Sequence, residues 1–348
     1  MKNHIIFFSG GKSSFSVADW VKTKYPEDNI VLYFTDTKWE DDDLYRFINE
    51  ASDALELPML THAEGLNPIE LMFEKKLVFN SRIGDCSKVL KMRVARQFLK
   101  KGIEPEIVEW RNKQYLKSDD FVTDATLYFG IGWEEMHREG PIRKNWKPFE
   151  VVMPMIEEVI DNAEILKKYG LTEPRLYKMG FAHNNCMGRC VKAGMGHHRN
   201  LREQMPEVFK ELMEQEHHLK VCVDAFRYIK KIPDDEIDEE YRDFLYRQLD
   251  DAYRDYFYGR AKKPKVYVSP ALTMEKGLIE FTTYSFMKRS RKGVTKPFPL
   301  RDLNREIQQE SNQIDIHDVG GCGCFVEFDE NENDDEPAEA ASCKINTN

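Results

Sequence analysis

The first 24 residues constrain the fold of this chain most strongly, because they combine a strand, a glycine turn and a helix. A short apolar run, His4–Phe8, leads into a polar loop, and an amphipathic stretch, Phe15–Lys24, follows at once. This order presents backbone N–H groups to an anion at a helix N-terminus, and adjacent glycines let the backbone approach a phosphate closely. The lysine of the loop adds a mobile charge, and its three serines add hydroxyl donors. The residues expected to hold a nucleotide phosphate are Ser9, Gly10, Gly11, Lys12, Ser13 and Ser14.

The spacing of the glycines separates this loop from two other phosphate loops. A Walker loop has a glycine five positions before its Gly-Lys pair, and that position is Ile6 here. The dinucleotide fingerprint needs a third glycine at the start of the helix, which this chain lacks. The loop resembles the PP-loop of the ATP-pyrophosphatase superfamily, whose usual form is Ser-Gly-Gly-x-Asp-Ser, with Ser13 in the aspartate position. The alternative is a turn between strand and helix that uses glycine only for packing.

Composition limits the classes of protein to which the chain can belong. It has 348 residues, enough for one large or two modest domains, a formal net charge of −10 and seven cysteines. The negative charge argues against nucleic-acid binding by the whole surface, but it is compatible with a local basic groove. The odd number of cysteines suggests ligands or nucleophiles rather than a disulfide framework. Because we find no apolar run of 18 residues and no signal-peptide layout, we expect a cytoplasmic protein without a membrane partner.

Polar residues follow the second predicted strand, Asn29–Thr35, at the position where parallel sheets bind ligands. Asp36 and Thr37 come directly after this strand and resemble the Asp-Thr-Gly segment of phosphoadenosine-phosphosulfate (PAPS) reductases, a branch of the PP-loop proteins. The resemblance implies that both residues lie beside the nucleotide and that Asp36 has a catalytic role. The acidic run Asp41–Asp43 is interpreted as the start of the next helix, where carboxylates cap free N–H groups.

One cysteine opens a basic helix further along the chain. A third strand is predicted at Leu57–Thr61 and a helix at 67–77, and the basic helix runs from the Cys86 segment to about Lys101. A helix N-terminus beside basic residues favours the thiolate form of Cys86. In sulfonucleotide reductases a cysteine-containing segment precedes a basic helix at this place, and in one class paired cysteines there hold an iron–sulfur cluster. The alternative for Cys86 is a half-buried small side chain at a helix start.

The strand predicted at Thr126–Ile131 leads into another set of candidate binding residues. Residues 132–138 resemble the Gly-hydrophobic-x-x-Asp/Glu-x-x-Arg segment that follows the fourth strand in the family. The resemblance implies that Glu134 or Glu135 holds magnesium or substrate and that Arg138 binds a phosphate. Two adjacent glutamates are equally ordinary in the first turn of a helix.

The second strong motif is a cysteine knuckle within Tyr177–Cys190. This segment resembles the Tyr-x-x-Gly element that leads into a cysteine knuckle in PP-loop relatives of the PAPS-reductase type. Three residues, including a glycine, separate Cys186 from Cys190, and such an arrangement wraps a metal ion or a cluster readily. The commoner form in those relatives is Cys-x-x-Cys. The motif therefore marks Cys186 and Cys190 as candidate ligands.

The thiols of Cys86, Cys186 and Cys190 are expected to meet at one inorganic centre. A doubly wound sheet brings the segments that follow its strands to one edge, so residues far apart in sequence can meet there. Three thiolates leave one iron of a four-iron cluster open, which suits a centre that carries or activates sulfur. The alternative is a zinc site with four cysteines that uses Cys322 and Cys324.

A further cysteine pair, Cys322 and Cys324, is flanked by glycines late in the chain. Sulfonucleotide reductases carry their nucleophilic cysteine in a C-terminal Glu-Cys-Gly-Leu/Ile-His motif, which this chain lacks. The pair occupies a comparable late position and is therefore the candidate nucleophile. Cys222 and Cys343 are interpreted as bystanders, and the pair His197-His198 is interpreted as part of the surface.

The C-terminal part of the chain divides into three segments by composition. Residues 200–262 have helical spacing and predict two or three helices. Residues 263–300 are basic with interleaved aromatic side chains, which is typical of a surface for nucleic acid or another anion. The alternative for that segment is a solvated basic face beside a hairpin. Residues 327–348 are acidic and poor in apolar residues, and they are expected to be disordered.

These features predict an α/β fold. The resemblance implies a Rossmann-like, mostly parallel sheet with helices on both faces, of the adenine nucleotide alpha-hydrolase type, with a helical C-terminal extension. The expected division is a PP-loop catalytic domain at 1–200, a helical and basic extension with the Cys-Gly-Cys segment at 201–326, and the acidic tail at 327–348.

The resemblance also implies an activity. The preferred hypothesis is an enzyme that binds ATP with Mg²⁺, cleaves it at the α-phosphate and adenylates a substrate for transfer of sulfur or nitrogen, with a 4Fe-4S cluster or Zn²⁺ bound by cysteines. One alternative is a sulfonucleotide reductase that uses a C-terminal cysteine, and it is less favoured because the terminal motif is missing. Another is a non-catalytic nucleotide-binding module with structural zinc. The expected partners are an adenine nucleotide, a nucleic acid or a sulfur donor, and a second copy of the chain in a homo-oligomer.

Overall fold

The chain divides into two compact units, which we call unit 1 and unit 2. The computed structural model describes residues 1–80, 84–257, 285–291 and 293–305. Unit 1 comprises Met1–Asn67 and Asp85–Cys190. Unit 2 comprises Pro68–Gly84 together with the described residues that follow Cys190. The units therefore divide the chain at residue 190, whereas the sequence analysis placed a domain boundary at residue 200.

Unit 1 is built on a six-stranded, mostly parallel sheet, as the sequence predicts. Its strands are β1 Asn3–Phe7, β2 Asn29–Asp36, β3 Met59–Ala63, β4 Ile107–Arg111, β5 Thr126–Phe129 and β6 Glu150–Val152. They lie in the order β4-β3-β2-β1-β5-β6, and only β4 is antiparallel to its neighbour. Chain order runs outward in both directions from β1, so the switch point of the topology lies between β1 and β5.

Helices follow most of the strands. The α-helices are α1 Lys12–Lys24, α2 Asp42–Leu55, α3 Pro68–Glu74, α4 Asp85–Ser87, α5 Val94–Lys101, α6 Glu139–Asn145, α7 Pro154–Glu157, α8 Asn162–Lys168, α9 Arg175–Lys178, α10 Met195–Gln204, α11 Pro206–Lys230, α12 Glu239–Phe257 and α13 Leu300–Arg305. A π-helical stretch, Lys88–Arg93, joins α4 to α5. Short 3₁₀-helices lie at Lys113–Tyr115, Trp133–Arg138 and Cys186–Gly188.

The sheet of unit 1 is covered on both faces, which explains why β1 and β2 are apolar almost throughout. Alternate strand residues enter two cores: Ile6 packs with side chains of α1 and α2, and Ile5 packs with side chains of α5 and α6. Both isoleucines are fully buried. The expected arrangement of a mostly parallel sheet with helices on both faces is therefore confirmed.

Unit 2 is mainly helical in its described part. It contains α3 and the helices α10 to α13, together with an antiparallel hairpin formed by β7 Met287–Arg291 and β8 Val294–Phe298. The expectation of two or three helices over 200–262 is met by the end of α10 and by α11 and α12. Cys322, Cys324, the tail at 327–348 and most of the basic segment 263–300 lie outside the described residues. Within the described ranges, no helix is both long and apolar enough to cross a lipid bilayer.

Candidate functional site

The loop after β1 has the strand–turn–helix geometry that the sequence predicts. Gly10 has a φ of 76°, and a Cβ at this position would lie 2.8 Å from Cγ of Leu44 in α2. Gly11 is the N-cap residue of α1, and its carbonyl accepts a hydrogen bond of 2.8 Å from Oγ of Ser14. The first turn of a helix leaves N–H groups without intrahelical partners, so this turn offers donors to an anion. Only glycine combines the left-handed conformation of residue 10 with the close approach of α2.

A cavity of about 230 Å³ lies next to this loop, at the carboxyl ends of β1 and β5. This is the switch point of the sheet, where open α/β folds bind their ligands. Its apolar walls come largely from aromatic side chains of β1, β2 and β5. The loop residues that line it are Ser9, Gly11, Ser13 and Ser14, and other polar lining residues are Thr35, Lys91, Glu135, Arg138, Tyr177, His183 and Asn185.

Two buried cations line the cavity. Lys91 is 5% exposed, and its Nζ lies 3.4 Å from Oε1 of Glu40, whose side chain is fully buried. Burial alone would lower the pKa of Lys91, but Glu40 and nearby thiols outweigh it, so the pKa lies above its ordinary value. Arg138 is 6% exposed and pairs through Nη1 with Oε1 of Glu135 at 2.9 Å. Lys91 therefore stays charged at neutral pH, and both cations lie where an anion in the cavity would meet them.

Lys12, the lysine of the loop, does not line the cavity. Its Nζ lies 3.5 Å from Oε2 of Glu173 and 4.6 Å from the centre of the Tyr177 ring. The hydroxyl of Tyr177 sits so close to Gly11 that a Cβ there would be 2.9 Å away. Burial raises the pKa of this phenol to about 12, although a hydrogen bond from the Lys12 backbone lowers it in part. Lys12 is thus held by surface contacts at the outer side of the loop, where both partners of its ion pair are about one-third exposed.

Asp36 and Thr37 lie beside the site but do not line the cavity. Oδ1 of Asp36 accepts hydrogen bonds of 2.8 Å from the Lys38 amide and from the Tyr45 hydroxyl. Thr37 donates its hydroxyl to Oε1 of Glu40 at 2.9 Å. Asp36 therefore organises the turn after β2, and Thr37 orients Glu40, which in turn holds Lys91. The catalytic role expected for Asp36 stays a prediction.

The Tyr177 segment is fastened to α2 and to the glycine loop. Arg175 makes two hydrogen bonds of 2.9 Å to the carboxylate of Asp41, which also accepts from the Asp43 amide as the N-cap of α2. This confirms the capping role assigned to the start of the acidic run. Nδ2 of Asn184 donates to the carbonyl of Gly10 at 3.1 Å, and the side chain is buried. These contacts position Tyr177 and the following residues at the rim of the cavity.

The cysteines predicted as ligands are neighbours in unit 1. Cys86 and Cys186 are half-buried and Cys190 is buried. Burial, followed by the charges of Glu40 and Cys190, raises the pKa of the Cys186 thiol well above its ordinary value, and Cys86 adds to this effect. The Cys186 amide also donates a hydrogen bond to the carboxylate of Glu40. The fold therefore brings Cys186 near the other two thiols, and it brings Cys86 and Cys186 near the ammonium of Lys91.

The geometry of these thiols does not form a metal site. Across the described ranges, no group of three or more histidine, cysteine, aspartate or glutamate side chains is placed to hold a metal ion. Cys322 and Cys324, the other predicted ligands or nucleophiles, lie outside those ranges. The cluster and the zinc site stay predictions.

The backbone of the knuckle has an unusual conformation. Cys186, Met187 and Gly188 have φ values of 58°, 49° and 69°, so three successive residues are left-handed. Two of them carry side chains, for which this conformation costs about 1–3 kcal/mol each. The hydrogen bond between the Cys186 amide and Glu40 is one contact that holds the turn in place.

Sequence reasoning missed the residues that connect these parts. Glu40 and Lys91 were not predicted as site residues, although Lys91 lies between the buried residues Leu90 and Met92. A lysine within an apolar helical stretch is a signal of a paired, buried charge. Tyr177 was noted only as part of a motif. His198, interpreted as a surface residue, is fully buried in α10, so that interpretation is wrong.

Comparison with known proteins adds no identification. No family model, no curated protein and no solved structure matches this chain.

Proposed function

We propose that the cavity of unit 1 binds an adenine nucleotide and that the chain is a PP-loop enzyme of the adenine nucleotide alpha-hydrolase type. The observation that carries this proposal is the convergence of a glycine-rich helix N-terminus and two buried cations on one cavity at the switch point of the sheet. A cavity with aromatic walls and convergent polar groups suits a ligand that has both a planar base and a charged tail.

The polyphosphate fits the polar side of the cavity. Backbone N–H groups at the start of α1 and the hydroxyls of Ser9, Ser13 and Ser14 offer donors for phosphate oxygens. Lys91 and Arg138 supply charge that is already desolvated, so an anion that binds them need not draw them out of water. Glu40 and Glu135 hold these cations in place before the nucleotide arrives.

The proposed reaction takes place at the α-phosphorus of Mg²⁺-bound ATP. An oxygen of the acceptor forms a bond to this atom, the bond to the bridging oxygen breaks, and pyrophosphate leaves. Negative charge develops on the leaving group, where the loop amides and the cations are placed to stabilise it. A sulfur or nitrogen nucleophile then displaces AMP from the acceptor. The proximity of the thiols of Cys86 and Cys186 to Lys91 supports sulfur over nitrogen, because thiols are the groups in this region that can carry sulfur.

The products that form from ATP in the absence of an acceptor test this proposal. The full chain is incubated with ATP and Mg²⁺, and the products are separated and quantified. We expect AMP and pyrophosphate, because water substitutes for the acceptor at the α-phosphorus. ADP and inorganic phosphate would show attack at the γ-phosphorus and would contradict the proposal.

A second arm of the experiment separates the alternatives. Incubation with PAPS or its unphosphorylated analogue and a dithiol reductant yields sulfite only if the chain is a sulfonucleotide reductase. Tight ATP binding without any product would indicate a nucleotide-binding module. Arg138→Gln should weaken ATP binding, whereas Arg247→Gln, at an exposed position on α12, serves as the matched control.

A further inference from the structure

Unit 2 presents a basic two-stranded ribbon, formed by β7 and β8. Its base is fixed to α11: Glu216 accepts hydrogen bonds from the amides of Phe286 at 2.9 Å and Leu300 at 2.7 Å. Phe286 is fully buried and Phe298 is 8% exposed, so the base of the ribbon belongs to the core of unit 2. The rest of the ribbon extends from this anchored base.

The ribbon has a charge opposite to that of the whole chain. Residues 287–298 contain five basic residues and no acidic residue in the sequence, whereas the chain has a net charge of −10. The basic residues are Lys288, Arg289, Arg291, Lys292 and Lys296. A local reversal of charge in an acidic protein is the electrostatic footprint of a surface that binds a polyanion.

The pairing of the strands places like charges together. Arg289 lies directly opposite Lys296, and opposed like charges destabilise a β-ladder. The next pair, Ser290 and Thr295, joins its two hydroxyls at 2.6 Å. Within the described ranges, no ion pair joins Lys288 or Lys296 to a carboxylate, and both side chains are exposed. Arg289 packs over the ring of Phe298, with Cζ 3.8 Å from the ring centre, whereas the exposed ammonium groups of Lys288 and Lys296 are available to a bound anion.

We propose that the ribbon docks on double-stranded DNA, with its lysines against the phosphate backbone. A two-stranded β-ribbon fits the major groove of B-form DNA, whereas the major groove of A-form RNA is too deep and narrow for side chains to read. Binding of single strands relies on exposed aromatic side chains on which bases stack. Both aromatic residues of the described ribbon, Phe286 and Phe298, are buried, and they offer no such platform.

This docking surface is independent of the nucleotide site. All its residues belong to unit 2, whereas the lining of the cavity belongs to unit 1. The two proposals can therefore fail separately. Loss of duplex binding with ATP binding intact, and the reverse, are both measurable in the same preparation.

The test measures binding of the full chain to a fluorescent DNA duplex of mixed sequence. Anisotropy titrations are made at several salt concentrations between about 50 and 200 mM. The variant Lys288→Gln/Lys296→Gln removes two exposed charges from the ribbon. The control Lys167→Gln/Lys210→Gln removes two exposed charges from α8 and α11. Each preparation is checked by circular dichroism and by ATP binding.

We expect the ribbon variant to bind duplex about tenfold more weakly than wild type, equally for two unrelated sequences, because phosphate contacts carry no sequence information. The slope of log K against log salt should fall in magnitude by about 2, since each lost phosphate contact removes about one counterion. The control should match wild type. The proposal is overturned if wild type does not bind duplex, if the ribbon and control variants behave alike, or if single-stranded DNA or duplex RNA binds more tightly.

Discussion

At the scale of single residues, two lysines near the cavity differ in what fixes them. Lys91 is 5% exposed and is held by a fully buried glutamate, so its position is set before any ligand arrives. Lys12 is held by Glu173 at a half-exposed position, where an ion pair contributes only about 0–1 kcal/mol. Lys91 thus has the properties of a preorganised group, and Lys12 those of a group that moves to its ligand.

Replacement of Lys91 should weaken nucleotide binding. Lys91→Met alone would leave Glu40 as an unpaired buried charge, so the informative variant is Glu40→Gln/Lys91→Met, which removes both charges. Loss of one charged hydrogen bond to phosphate should raise the Kd for ATP about 10- to 100-fold in calorimetric titrations. The control is Lys167→Met, which removes an exposed lysine from α8. A folded double variant with an unchanged Kd would show that Lys91 does not contact the nucleotide.

Lys12 should matter for turnover, and Glu173 should restrain it. Lys12→Ala is expected to slow pyrophosphate release about 30- to 1000-fold, because charge-assisted contacts to the leaving phosphates are lost. Glu173→Gln frees the ammonium from its ion pair and should tighten ATP binding by about two- to fivefold. The effect of Lys12→Ala is measured as the rate of pyrophosphate release, and the effect of Glu173→Gln is measured by ATP titration. If Glu173→Gln weakens binding, Glu173 contacts the nucleotide or its metal and does not restrain Lys12.

At the scale of elements, hydrophobic runs with clear boundaries could be predicted. β1, β2, β3 and β5 lie within about two residues of their expected ends, since each is a buried strand between polar turns. β4 and β6 were not predicted, because β4 is a half-exposed edge strand and β6 has only three residues. The loop residues of the site were predictable from local sequence. Glu40 and Lys91 were not, because their pairing joins residues 51 positions apart and depends on the tertiary structure.

The contact between β5 and α1 depends on Gly130. A Cβ at this position would lie 2.7 Å from the amide nitrogen of Ser14 and 2.9 Å from the carbonyl carbon of Ser13. Both atoms belong to the backbone, so Gly130→Ala must separate the strand from the first turn of α1. We expect a loss of about 1–3 kcal/mol in the free energy of unfolding, as for overpacked cores, together with weaker ATP binding.

Gly140 offers the matched control, because a Cβ there meets no atom within 4 Å. It lies in the first turn of α6 directly before Pro141, where the preference of a helix for alanine is offset by the contact of a Cβ with the proline ring. Gly140→Ala should therefore change stability little and leave ATP binding unchanged. Urea denaturation and ATP titration of both variants measure the contrast. If the two substitutions had equal effects, the close approach of Gly130 to the first turn of α1 would not determine the shape of the glycine loop after β1.

At the scale of the whole molecule, the sequence motifs predicted the class of fold, whereas the assignment of one segment to unit 2 depends on contacts that are distant in sequence. Pro68–Gly84 lies between strands of unit 1 in sequence and yet belongs to unit 2. The reason is visible in Lys76, whose ammonium pairs with Asp250 at 2.7 Å and lies 4.2 Å from the ring centres of Phe73 and Phe226. The contacts of Lys76 with Asp250 and Phe226 span 150 positions or more and leave no local pattern. The expected homo-oligomer stays a prediction.

The stability of unit 2 should decrease with rising pH because of Glu216. This side chain is 1% exposed, and burial raises its pKa from 4.5 to about 7, although the amides of Phe286 and Leu300 and the charge of Lys220 oppose the shift. Asp302 faces it as well and raises the pKa further. A carboxyl group with a raised pKa binds its proton more tightly in the folded state. Its contribution is therefore complete below about pH 4.5 and is lost as the pH rises through about 7.

Glu216→Gln isolates the pH-dependent part of this contribution, because glutamine does not titrate. Its NH2 group cannot accept from one of the two amides, but that loss is the same at every pH and does not affect the slope. Between pH 5 and pH 8 the free energy of unfolding of wild type should fall by about 2–3 kcal/mol relative to the variant. Other carboxylates, such as Asp43 and Asp53, have lowered pKa values and act in the opposite direction, but they are common to both proteins and cancel. Urea denaturation of both proteins at several pH values gives the difference. If the free energies of unfolding of the two proteins had the same pH dependence, Glu216 would remain ionised in the folded protein. The hydrogen bonds from the two amides would then be sufficient to stabilise its negative charge.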